Sequence, residues 1–112
     1  MTELVIRAAY ATVTTEDDLR YVGFVDARDE AYALFRQALP GGPVWFEVND
    51  PDFGAEDAIE TARLTPDTLT LLLRPAITGR FGYASIISIR LKTCEAAETA
   101  LAGLRAMGLP GL

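Results

Sequence analysis

The feature that most constrains this chain is the repeated alternation of apolar and polar residues at period two, in short runs set between turn-forming residues. Residues 84–92 show it most clearly. There Ile87, Ile89 and Leu91 are expected to face inward, and Ser88, Arg90 and Lys92 to face water. A two-residue period matches the side-chain repeat of a half-buried strand and fits no helix. Leu69, Leu71 and Leu73 mark the buried face of a second strand over residues 68–74, paired with 58–64 through the turn Thr65-Pro66-Asp67. Proline fixes the first central torsion of such a turn, and aspartate closes it with its own carboxylate. Residues 4–13, 20–25 and 44–49 read as further strands. In the last, Val44, Phe46 and Val48 point one way and Trp45, Glu47 and Asn49 the other.

Two segments depart from this pattern. Residues 26–39 carry helical cues: Asp26 as an N-cap, Asp29 and Glu30 in a first turn, and Ala31, Leu34, Phe35, Ala38 and Leu39 at helical spacing. Tyr32, Leu34 and Arg36 also alternate with Ala31, Ala33 and Phe35, so helix and strand both remain open, with the pattern favouring helix. Residues 93–107 predict a C-terminal helix, with Thr93 as N-cap, Ala97, Ala100, Leu101 and Leu104 as its apolar stripe, and Gly108 ending it. Residues 50–54 read as a loop from their Asp, Pro and Gly content, and residues 75–83 as a longer turn. The expected architecture is α+β. It is a mainly antiparallel sheet of about five to seven strands with a C-terminal helix packed on one face, in a single domain over residues 1–112.

Composition excludes much chemistry. The chain has no histidine and one cysteine, Cys94. Imidazole-dependent catalysis, histidine-ligated zinc and dithiol exchange are therefore ruled out. Cys94, placed at a predicted helix N-terminus, is expected to be a packed first-turn residue rather than a reactive thiol. Gly41-Gly42 is followed by proline and a strand rather than by lysine and a helix, so it is not a phosphate loop. The run from Asp50 to Glu56 alternates carboxylates loosely like a calcium loop, but it lacks that loop's spacing and its flanking helices. No catalytic group, cofactor or metal site is expected. An N-terminus containing Glu3 and Arg7, and the lack of any long apolar run, predict a cytoplasmic soluble chain without membrane attachment.

Charge placement says more. The net charge is −6, from sixteen acids and ten bases. Residues 37–62 hold Glu47, Asp50, Asp52, Glu56, Asp57 and Glu60 and no base, so ten acids balance ten bases outside them. A concentrated negative field repels nucleic acid and attracts basic proteins. Trp45, by parity beside Glu47, is either an interface anchor with a polar rim or core under a second layer. Phe53, in the acidic run, is a second candidate anchor.

The segment from residue 32 to residue 107 resembles the Immunity protein 10 family of bacterial polymorphic-toxin systems. The resemblance is carried by Trp45-Phe46-Glu47-Val48-Asn49-Asp50, by Gly54, by Ala58-Ile59-Glu60 before a hairpin, and by the final strand and helix. The link before Trp45 is shorter here than in that family. The resemblance implies a strand rather than a helix around Tyr32 to Gln37. It also implies a cytoplasmic antidote that neutralises a cognate protein toxin, often a nuclease, by direct binding. The partner would then be a toxin with a basic surface, met by Trp45, Glu47, Asp50, Asp52, Phe53, Glu56, Asp57 and Glu60. The competing expectation is a self-associating module, a homodimer without a toxin partner.

Overall fold

The computed structural model describes residues 2–28 and 30–112, so the expected first-turn role of Asp29 lies outside the described residues. Among the described residues eight strands form one sheet: β1 (Thr2–Glu16), β2 (Leu19–Asp26), β3 (Tyr32–Ala38), β4 (Val44–Val48), β5 (Asp50–Glu56), β6 (Ile59–Thr65), β7 (Thr68–Leu73) and β8 (Ala84–Arg90). A 3-10 helix, Pro75–Phe81, joins β7 to β8, and one α-helix, α1 (Ala97–Met107), follows β8. The spatial order is β5-β4-β3-β2-β1-β8-β7-β6. All pairs are antiparallel except β1 with β8. The α+β class with a terminal helix thus holds, with more strands than expected.

β1 is long because it serves two half-sheets. Up to Arg7 it runs parallel to β8, and from Ala8 onward it pairs antiparallel with β2, with an irregularity between Ala8 and Tyr10. The sheet also curls. β5 and β6 lie at opposite ends of the strand order, yet three residue steps separate Glu56 from Ile59. Three steps span at most about 11 Å, whereas seven flat interstrand spacings would span roughly 34 Å. The two ends must therefore approach each other around a common interior. Backbone bonds fix the connecting residues to each half: Asp57 N–H donates to the Val44 carbonyl (2.8 Å), extending the β4–β5 ladder, and Arg74 N–H to that of Ala58 (2.9 Å), extending the β6–β7 ladder.

That interior is lined by one face of each strand. Phe24, Phe35 and Phe46 are fully buried on β2, β3 and β4, and Phe81 of the 3-10 helix stacks on Phe46 with ring centroids 5.7 Å apart. Leu69, Leu71, Leu73, Ile87 and Ile89 fill the other half, as their alternation predicted. α1 lies against β1 and β2 and buries Ala100, Leu101, Leu104 and Met107. A Cβ at Gly103 would sit 2.9 Å from a Val22 methyl, so glycine there permits the close approach. After α1 the chain ties the halves together. Gln37 Nε2 donates to the Met107 carbonyl (3.1 Å), and Ala62 N–H donates to that of Pro110 (2.7 Å). Among the described residues no helix is long and apolar enough to cross a membrane.

Four local expectations are corrected. The helix favoured by pattern over residues 26–39 is strand β3, with Ala33, Phe35 and Gln37 buried inward and Tyr32, Leu34 and Arg36 half-buried outward. The Asp26 carboxylate does accept N–H groups, from Arg28 (3.2 Å) and Glu30 (2.9 Å), but it closes a turn and starts no helix. Residues 50–54 belong to edge strand β5 rather than a loop, since an edge tolerates the missing donor of Pro51. Thr93 does not cap α1. Glu95 is drawn into backbone bonding with Ala9 and Ala11 of β1, so the helix starts only after Ala96, which takes a left-handed conformation with φ 64°. Ser88, expected in water, is buried and donates to the Glu3 carboxylate.

Candidate functional site

The face of β2, β3, β4 and β5 turned away from the core carries an unusual set of side chains. Register places Arg36 opposite Trp45, Leu34 opposite Glu47, Trp45 opposite Glu56 and Glu47 opposite Gly54. Paired residues in a ladder project to the same side. Trp45, Glu47, Arg36 and Glu56 therefore share the outer face, with Tyr32 two residues from Leu34. The parity argument that separated Trp45 and Glu47 from Phe46 and Val48 holds, since the latter two are fully buried inside.

Glu47 is the surprise of this face, at 7% exposed. An ionised carboxylate removed from water is costly unless its oxygens are bonded. Here both are. Tyr32 Oη donates to Oε2 at 2.5 Å, and the Trp45 indole Nε1–H donates to Oε1 at 2.8 Å. Burial, followed by the bond to Glu47 and the charges of Glu47 and Asp50, drives the Tyr32 hydroxyl well above the ordinary phenol range. Tyr32 thus stays a donor at neutral pH.

Trp45 reaches this position because Gly54 has no side chain. A Cβ at Gly54 would fall 2.4 Å from Cζ2 and 2.9 Å from Cε2 of the indole, and 3.0 Å from the Glu47 Cβ. The indole lies across the β5 backbone, roofing Glu47. The Arg36 guanidinium sits over the ring, 5.2 Å from its centroid, a cation–π contact that fixes both side chains. Backbone bonding anchors the end of the platform. Tyr32 N–H donates to Asn49 Oδ1 and Asn49 N–H to the Tyr32 carbonyl, each at 3.0 Å.

The predicted acids divide into groups. Glu47 is consumed within the platform. Asp57 pairs with Arg74 at 3.5 Å, both exposed. Asp50, Asp52 and Glu56 are exposed along β5, and Glu60 lies beyond the bend, exposed on β6. None of these last four has an ion-pair partner among the described residues. Asp50 Oδ1 accepts the Asp52 N–H at 2.8 Å. Three exposed carboxylates without ion pairs among the described residues thus lie along the β5 edge, Glu56 opposite Trp45 and Asp50 and Asp52 toward the other end of the strand, with Glu60 around the corner. Phe53, by parity on the inner side of β5, is nevertheless 46% exposed and lines a small pocket with Leu4, Val48 and Phe81.

Sequence reading missed Tyr32, Arg36 and Gly54 as members of this cluster. Their signal was the alternation within β3, legible once that segment is a strand in register with β4. Cys94 precedes α1 rather than opening it, and burial together with Glu95 pushes its thiol upward, away from reactivity. Among the described residues no three acidic or thiol side chains gather as a metal site. Comparison of the chain with family models, with curated proteins and with solved structures finds no match.

Proposed function

We propose that this protein is a binding inhibitor of the immunity type, which docks a basic protein partner onto the outer face of β3, β4 and β5. The reading rests chiefly on one observation: Asp50, Asp52 and Glu56 stand exposed and without ion pairs along an edge strand that borders an ordered Trp45–Arg36–Tyr32 platform. Trp, Tyr and Arg dominate the energetics of interfaces when presented rigidly, and a polar rim completes such a patch. Here Glu47 supplies the rigidity and the β5 carboxylates supply the rim. Negative charge at the rim speeds capture of a basic surface, such as the phosphate-gripping groove of a nuclease toxin. A partner of this kind accounts for the excess acid without requiring catalysis.

Self-association through the β5 edge is the less favoured reading. Pro51 lacks a backbone donor, and two copies would bring Asp50, Asp52 and Glu56 against one another; proline and charge are the usual devices that block edge pairing.

The test is affinity capture from source cells with the wild-type chain and with the D50K/D52K/E56K variant, read by mass spectrometry. A basic protein retained by the wild type and lost by the variant is the expected result. Equal retention by both would remove the acidic edge from the account.

A further inference from the structure

We propose a second site, independent of the acidic edge: Arg7, Arg90 and Lys92 form a binding site for a small phosphate-class oxyanion on the outer face of the other half-sheet. Arg7 of β1 and Arg90 of β8 are direct partners in the parallel ladder, so their side chains leave the same face side by side. Their neighbours Ile6 and Ile89 are buried on the opposite face. Lys92 and Thr93 follow at once, and Arg7, Ala8, Arg90, Lys92 and Thr93 together line a surface pocket of about 220 Å³. All three cations are exposed.

Like charges placed opposite one another in a sheet are destabilising. In a chain with sixteen acids such a pair would ordinarily be offset by a carboxylate. Among the described residues none lies within ion-pairing distance of Arg7, Arg90 or Lys92. Glu30 lines the adjoining pocket with Arg7 and Asp26 yet makes no ion pair with Arg7, and the two other acids on this side are bound elsewhere. Glu3, four residues from Arg7 on the same face and therefore roughly 13 Å along the strand, accepts the Ser88 hydroxyl. Asp26, which borders Arg7 on its other flank, has its carboxylate bound by the N–H groups of Arg28 and Glu30.

Two arginines and a lysine lining one pocket can offer it two guanidinium forks and an ammonium, donors that suit a tetrahedral oxyanion carrying close to two negative charges. The Thr93 hydroxyl adds a neutral donor. A long polyanion fits poorly, because it would extend from this patch into the field of a chain with net charge −6. The ligand class is therefore a small phosphate or phosphomonoester rather than nucleic acid.

The test is an NMR titration of the whole chain with inorganic phosphate against sodium chloride at matched ionic strength, repeated with R7Q/R90Q and with K92Q. Saturable shifts at the amides of Arg7, Ala8, Arg90, Lys92 and Thr93 are expected. Affinity should fall at least about tenfold in R7Q/R90Q, the scale of one lost charged contact, and less in K92Q. In chloride, R7Q/R90Q should unfold at the same or a higher urea concentration than the wild type, because a repulsion has been relieved. Shifts reproduced by chloride, saturable binding that persists in R7Q/R90Q, or response to a short oligonucleotide but not to phosphate would each overturn the proposal.

Discussion

Replacing Gly54 with alanine tests the platform at its tightest point. The new methyl would lie 2.4 Å from the indole Cζ2 and 3.0 Å from the Glu47 Cβ, so the ring must move. Overpacking of this kind costs about 1–3 kcal/mol. Displacing the ring also breaks the indole bond to Glu47, and bonds to charged groups contribute about 1.5–3 kcal/mol. Gly54 is not in a left-handed conformation, so alanine recovers about 0.4–1 kcal/mol through the unfolded chain. The net expectation is a loss of roughly 2–5 kcal/mol. At about 2.1 cal/mol/K per residue, 112 residues give a shift near 4 °C per kcal/mol. The melting temperature should then fall by about 10–20 °C. Urea unfolding supplies the measurement, followed by circular dichroism and by the emission of Trp45, the sole tryptophan. In a W45A background the indole clash and bond are absent and only the Glu47 Cβ contact at 3.0 Å remains, so the same substitution should cost about 1 kcal/mol or less. A G54A protein within about 0.5 kcal/mol of wild type and with unchanged emission would refute the geometry, as would an equal cost in both backgrounds.

Two further outcomes follow from ionisable groups. The Tyr32 hydroxyl ionises at higher pH in the folded chain than in the unfolded one, whose ordinary value is 10.0. Its contribution to stability is therefore fully present below about pH 10 and is lost as pH rises toward the folded value, where the unfolded chain releases the proton first. Urea midpoints from pH 8 to 11 should fall less steeply for Y32F than for wild type; parallel curves would contradict the Tyr32–Glu47 bond. Cys94, its thiol pushed upward by burial and by Glu95, should react with a disulfide reagent at pH 8 more slowly in the folded chain than in urea, and a faster reaction when folded would overturn that assignment.

Where one face of a strand is buried and the other wet, the sequence carried the fold plainly. Leu69, Leu71 and Leu73 on β7, and Ile87 and Ile89 on β8, announce their faces by period alone. β3 was opaque because it is central in its half-sheet and apolar on both sides. Ala33 and Phe35 pack inward while Leu34 and Tyr32 are half-buried outward, and two apolar faces imitate a helical stripe. β5 was hidden for the opposite reason, since Asp50, Pro51 and Asp52 are poor strand formers that an edge admits. The outward parity of Trp45 was legible. The burial of Glu47 was not, because it depends on Tyr32, fifteen residues away, and on the bare backbone of Gly54, both brought near by register rather than by local pattern.

The proposed function requires the carboxylates of the β5 edge to steer a basic partner. The rate of association between the chain and its captured partner, followed by stopped flow across ionic strength, addresses this directly. Steered association should slow by about ten- to a thousandfold from low to high salt as charges are screened. D50K/D52K/E56K should be slow throughout with little salt dependence. An association rate that is indifferent to salt, or equal in wild type and variant, would contradict the claim.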